Sequence, residues 1–173
     1  WESAIALANM IAAHPEAIQG KQILELGCGV GLSGVVAQAL GGIITQTDHE
    51  PRALRLSAHN AAANDVGGLS QFQADWRNWQ HAAQYDLILG ADILYERAVH
   101  PLLAAIFARS LAPGGEIWLA DPGRPHTLDF LSALEDGGWR GRIDVVTTAD
   151  ASGRTGKAPV DVTLARLRKS DGR

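Results

Sequence analysis

The stretch Gln22-Ile23-Leu24-Glu25-Leu26-Gly27-Cys28-Gly29-Val30-Gly31-Leu32-Ser33-Gly34 decides the reading of this chain. A short apolar run, three glycines at alternate positions and a return to helical spacing predict a strand, a tight loop and a helix. Gly27, Gly29 and Gly31 lack the Cβ that would restrict the turn or hold a ligand away from the backbone. The pattern suits a nucleotide of more than one class, because Gly29 to Gly34 also satisfies the G-x-G-x-x-G spacing of dinucleotide enzymes. Asp48, at the exit of the next strand, stands where a carboxylate accepts hydrogen bonds from ribose hydroxyls in either class. A tight turn with a surface acid and no ligand is the remaining alternative.

Outward from the loop, apolar periodicity alternates between helical spacing and short β-rich runs. Strands are expected at 22–26, 43–47, 70–74, 85–91 and 116–120, and helices at 2–13, 32–40, 51–64, 96–111 and 128–136. His14-Pro15 ends the first helix and Gly41-Gly42 closes the second. Pro51 suits the first turn of the third, and Pro113-Gly114-Gly115 breaks the fourth. The alternation predicts an α/β fold, a doubly wound and mostly parallel sheet. Two further β-rich runs, 143–148 and 160–167, have no helix between them, so they are expected to pair as a C-terminal antiparallel hairpin and complete seven strands. Their connection, Ala149 to Pro159, is rich in Gly, Ala and polar residues and reads as a mobile loop or as a lid over the site.

The 173 residues suit one domain, 1–173, able to bury a core without disulfides or metals. Hydrophobic residues make up 46% and charged residues 20%, with no apolar run of the roughly 18 residues needed to cross a bilayer. A globular, cytoplasmic protein with no membrane partner is the expectation. Cys28 is the only cysteine and the six histidines lack metal-ligand spacing, so no metal is expected. A net charge of −4 argues mildly against nucleic acid as a partner. The sequence starts at Trp1 rather than methionine, which reads as a trimmed part of a longer chain.

Glu25, two residues before Gly27, gives the loop the E/D-L-G-x-G-x-G form found in S-adenosylmethionine (SAM) methyltransferases. The chain resembles the seven-strand SAM methyltransferases over nearly its whole length, and specifically the branch that holds many protein-lysine methyltransferases. Trp1-Glu2-Ser3-Ala4 resembles the start of that branch's first helix. Thr47-Asp48-His49-Glu50-Pro51, followed by Asn60 and Asn64, resembles its second unit. Asp92-Ile93-Leu94-Tyr95, directly after Ala91, matches the branch's D-x-x-Y motif. The resemblance implies a Rossmann-like methyltransferase fold, SAM as cofactor and a protein lysine as acceptor. It implies cofactor contacts from Glu25, Gly27, Gly29, Gly31, Asp48, Asp75, Trp76 and Ala91, with Asp75 accepting from the adenine amine. Trp76 either packs near that ring or fills core space.

The resemblance places Asp92 and Tyr95 at the reaction centre, at the carboxyl end of a strand where open parallel sheets bind ligands. Methyl transfer to nitrogen needs a neutral amine aimed at the methyl carbon, so positioning is the main task. Asp92 is expected to hold a lysine ammonium and orient the amine, or alternatively to cap a helix before Glu96. Tyr95 offers a hydroxyl or an aromatic face. Asp92 is not a natural base, since a carboxylate beside lysine raises a pKa already about 10.4. Asp121-Pro122-Gly123-Arg124-Pro125 resembles a run in the lysine methyltransferases of electron-transfer flavoprotein, within the same branch. Trp1 and Arg124 are candidate substrate contacts, and a rigid turn is the alternative for Arg124. Small-molecule methylation, dinucleotide-dependent oxidation and non-catalytic SAM binding remain the competing functions.

Overall fold

The computed structural model describes residues 2–148 and 158–170. Trp1 and the connection at 149–157 lie outside the described residues, and with them the expectations of a substrate contact and of a loop or lid.

Among the described residues, five α-helices and seven strands follow one another along the chain. The helices are α1 (Glu2–Ala12), α2 (Leu32–Ala39), α3 (Pro51–Ala63), α4 (His100–Ser110) and α5 (Pro125–Asp136). The strands are β1 (Gln22–Leu26), β2 (Ile43–Asp48), β3 (Ser70–Gln73), β4 (Tyr85–Ala91), β5 (Leu111–Asp121), β6 (Trp139–Thr148) and β7 (Val160–Lys169). They form one sheet in the order β3-β2-β1-β4-β5-β7-β6. The first five are parallel, and β7 runs antiparallel between β5 and β6. The expected hairpin therefore forms, with its second strand inserted next to β5.

Helices cover both faces, so successive residues of a central strand enter different cores. Leu24, Leu26, Ile88, Ile117 and Leu119 join Phe107, Phe130 and Leu131 on one face. Ile23, Leu87, Leu89 and Trp118 join Leu7, Ile11 and Ala37 on the other. Glu25 alternates with Leu24 and Leu26, which turns its carboxyl towards α2, on the second face. That placement follows from strand geometry alone.

Several boundaries differ from the sequence reading, each for a local reason. A short 3-10 turn, Arg97–Val99, precedes α4, whose Pro101 sits in the first turn, so the helix starts four residues later than expected. Pro125 occupies the first position of α5, where the absent N–H leaves nothing unsatisfied, and starts that helix three residues early. β3 ends at Gln73 because Asp75 caps the next turn, Trp76–Asn78, accepting from the Arg77 backbone N–H. β5 begins at Leu111, through a register irregularity opposite Tyr85 and Leu87 that absorbs Pro113-Gly114-Gly115.

Candidate functional site

The carboxyl ends of β1, β2, β4 and β5 meet along one edge of the sheet. A cavity of about 520 Å³ opens there, lined by Glu25, Gly27, Gly29, Ser33, Ala91 and Asp92 among others. A neighbouring cavity of about 410 Å³ is lined by His49, Asp75, Trp76, Tyr95 and Glu96. A larger cavity, about 860 Å³, lies between α1 and the β6–β7 hairpin, and none of the candidates among the described residues lines it. The chemistry-bearing side chains, not the volume, single out the sheet edge.

The three loop glycines do different work. All have positive φ, at 64°, 52° and 85° for Gly27, Gly29 and Gly31. A Cβ on Gly29 would meet nothing within 4 Å, so the space beside it is open to a ligand. A Cβ on Gly31 would instead collide with the Ser57 hydroxyl, and one on Gly34 with the Glu25 carboxyl and the Gln46 amide. Gly31 and Gly34 therefore let α2 settle against β1, β2 and α3. Gly27 faces the Ile93 side chain and the Trp76 ring, the latter 3.4 Å from where its Cβ would stand.

Behind the loop is a buried polar network that sequence reasoning missed. The Gln46 amide donates to Glu25 Oε2 at 2.7 Å, and its carbonyl accepts from Ser57 Oγ at 2.6 Å and Gln71 Nε2 at 2.9 Å. Glu25 and Gln46 are register partners in β1 and β2, so two polar residues at matched positions in adjacent strands were the available signal. Burial pushes the Glu25 carboxyl up to about 7, against the opposing hydrogen bonds from Gln46 and the Gly34 backbone. With its pKa near neutrality, this acid is not a fixed anion.

Asp48 ties the loop to β2. Its carboxylate accepts from the Gly29 N–H at 3.0 Å and the Glu50 N–H at 2.9 Å, and His49 Nδ1 stands 3.4 Å away. Ser33, in the first turn of α2, is buried at 1% exposure and its Oγ has no hydrogen-bond partner, although the residue lines the cavity. A buried hydroxyl without a partner is costly unless something else supplies the bond. Asp75 accepts from the Arg77 backbone N–H at 3.0 Å and from its guanidinium at 2.9 Å, and those hydrogen bonds hold its carboxyl below the usual range.

The other half of the edge is built from charge pairs. Ala91 and Ala120 are register partners, so Asp92 and Asp121 leave β4 and β5 side by side. Asp92 adopts φ 58°, unusual for a residue with a Cβ, and donates its N–H to the Ala120 carbonyl at 2.8 Å. Arg124 bridges the two acids, reaching Asp92 Oδ1 at 2.5 Å and Asp121 Oδ2 at 2.7 Å. Asp121 is 1% exposed and also accepts from the Arg124 backbone N–H. Tyr95 is 46% exposed and borders the second cavity. Its hydroxyl pKa is raised by partial burial and by Glu96, Asp48 and Asp92.

A family model described as lysine methyltransferase matches residues 1–136. The chain belongs to that family. It is 37% identical over 124 residues to mouse EEF1A lysine methyltransferase 3, covering 69% of this chain and 53% of the relative. It is 28% identical over 127 residues to the electron transfer flavoprotein beta subunit lysine methyltransferase of Xenopus laevis, covering 72% and 51%. The chain thus spans about half the length of these lysine methyltransferases. The fold is shared with the Pyrococcus abyssi tRNA (uracil-54, C5)-methyltransferase, solved in complex with S-adenosyl-L-homocysteine. That likeness has a TM-score of 0.68 at 20% identity and covers 94% of this chain and 38% of that one. The family is described by methyl transfer and not by hydride transfer, which is the side of the Gly29 to Gly34 ambiguity it supports. Among the described residues, no helix is long and apolar enough to cross a membrane, and no cluster of His, Cys, Asp and Glu is placed to hold a metal.

Proposed function

We propose that this chain transfers a methyl group from SAM to the side-chain nitrogen of a lysine in a protein. The observation that carries the reading is that Asp92 lines the same cavity as Gly27, Gly29 and Glu25. An acid suited to a cation therefore faces the seat of a nucleotide-type cofactor. The first named relatives act on protein lysine by name, which supports the acceptor class.

The residues present fit SAM. The cavity volume lies within the range of small-molecule sites. The unpartnered Ser33 hydroxyl, at the positive end of α2, suits the carboxylate of the methionine portion. Gly29 leaves the backbone approachable, Asp48 stands at the loop for ribose hydroxyls, and Asp75 and Trp76 border the neighbouring space for adenine. SAM supplies a methyl group on a sulfonium; transfer breaks that C–S bond, forms the C–N bond and releases S-adenosylhomocysteine. The chain's own part is orientation: Asp92 holds the incoming ammonium and aims the nitrogen once its proton has gone to solvent, and Tyr95 walls the approach.

Tritiated SAM added to a cell lysate with the purified protein tests this. Label in a protein band, recovered as methyl-lysine on hydrolysis, is expected. Label confined to small molecules, or recovered on another amino acid, overturns the acceptor assignment.

A further inference from the structure

Asp92 is not free to meet a substrate alone, because Arg124 already holds it. The guanidinium lies between one half-buried and one fully buried carboxylate, at 2.5 Å from Asp92 and 2.7 Å from Asp121. Arg124 itself is 29% exposed, and Asp121 fixes it from both the backbone N–H and the side chain. Burial opposes its charge, yet Asp92 and Asp121 outweigh that and the guanidinium pKa is raised. The cluster therefore carries two negative charges and one positive before any substrate arrives.

That arrangement bears on a difficulty in the chemistry. A bare carboxylate beside an ammonium stabilises the charged form, while attack requires the neutral amine. We propose that Arg124 is a positioning residue that shares Asp92 with the acceptor nitrogen and offsets its charge, so that the amine is oriented without being locked as its ammonium. This rests on the amine-acceptor reading given above. Arginine suits the task because two different nitrogens of its planar fork reach the two carboxylates, Nη2 at Asp92 and Nη1 at Asp121. Other charged or titratable groups surround the seat. Glu25, Cys28 and Arg52 line the cavity, and Asp48, Tyr95 and Glu96 border it electrostatically. Glu2 lies in the first turn of α1 and His126 in the first turn of α5. Among the described residues none of these groups forms an ion pair with Asp92, and Arg124 is the cation that does.

A charge ladder tests this with n-butylamine as a lysine side-chain probe and S-adenosylhomocysteine-loaded protein. Calorimetry at neutral pH is expected to show butylammonium binding about tenfold tighter in Arg124→Gln than in the wild type. Asp121→Asn binds it more weakly, the double variant lies between, and Arg124→Lys, which keeps the charge but not the fork, falls between the wild type and Arg124→Gln. The pH profile of label transfer into the lysate acceptor moves in the same order, to higher pH for Arg124→Gln and to lower pH for Asp121→Asn. If Arg124→Gln does not fold, Asp121→Asn and Arg124→Lys still carry the order. Equal butylamine affinity across the series, or reduced activity with an unmoved profile, overturns the proposal. Label found only outside protein would instead sink the acceptor reading while leaving the butylamine order intact.

Discussion

The two halves of the sheet edge solve different problems with different chemistry. At the ends of β1 and β2 the polar groups are buried and hydrogen-bonded to backbone and neutral side chains: Glu25, held by Gln46 and the Gly34 N–H, is pushed up to about 7, and Asp48 accepts from the Gly29 and Glu50 N–H groups. At the ends of β4 and β5 they are paired across a cluster of opposite charges, with Arg124 between Asp92 and Asp121. The first half shapes backbone around a ligand, and its polar network keeps the shape. The second offers charge to a cation arriving from outside. A fixed anion at Glu25 would have to be desolvated permanently, whereas a partly exposed Asp92 keeps some hydration and a partner.

If that division is right, Asp92→Ala has the largest effect and confines it to one half. Turnover falls by about a thousandfold, the scale of losing a preorganised electrostatic group, and single-turnover methyl transfer measures it. Asp121 still holds Arg124 in that variant, so the fold is expected to persist.

Glu25 provides the next largest effect, on stability. Its folded pKa stands above that of an unfolded carboxylate, so between roughly pH 4.5 and pH 7 the folded chain keeps a proton that the unfolded chain has lost. Stability therefore falls as pH rises through that window, by about 3 kcal/mol at most, and levels off above it. Glu25→Gln removes the slope; denaturant unfolding at several pH values shows it, and an unchanged slope would place the titrating group elsewhere.

Smaller still is the contrast between two neighbouring glycines. Gly31→Ala forces a methyl group against Ser57 and is expected to destabilise by about 2 kcal/mol, read as a lower thermal midpoint. Gly29→Ala meets open space, so its cost is the strain of positive φ, about 1 kcal/mol, and its main consequence is weaker SAM binding. Equal losses of stability at the two positions would erase the distinction between a packing glycine and a ligand-facing one.

Much of this molecule was legible beforehand because its strands are short, apolar and punctuated. The bounds of β1 and β4 and the C-terminal antiparallel pairing follow from periodicity and turn residues. The start of α5 did not, because Pro125 reads as a breaker until its place at the first helical position is known. Among the site residues, Glu25 and the glycines announce themselves by spacing in sequence. Gln46, Ser57 and Ser33 do not, since their roles arise only when β1, β2, α2 and α3 are packed and a buried polar atom must find a partner. Arg124 was visible as a cation near the substrate side. Its contact with Asp92 depends on the register that sets β4 beside β5.

The division between cofactor half and acceptor half is tested most directly by calorimetric titration of SAM into the wild type and Asp92→Ala, with NAD as the comparator. Both proteins are expected to bind SAM with affinities within about threefold of each other, and neither to bind NAD. Loss of SAM binding in Asp92→Ala, or binding of NAD without SAM, would contradict it.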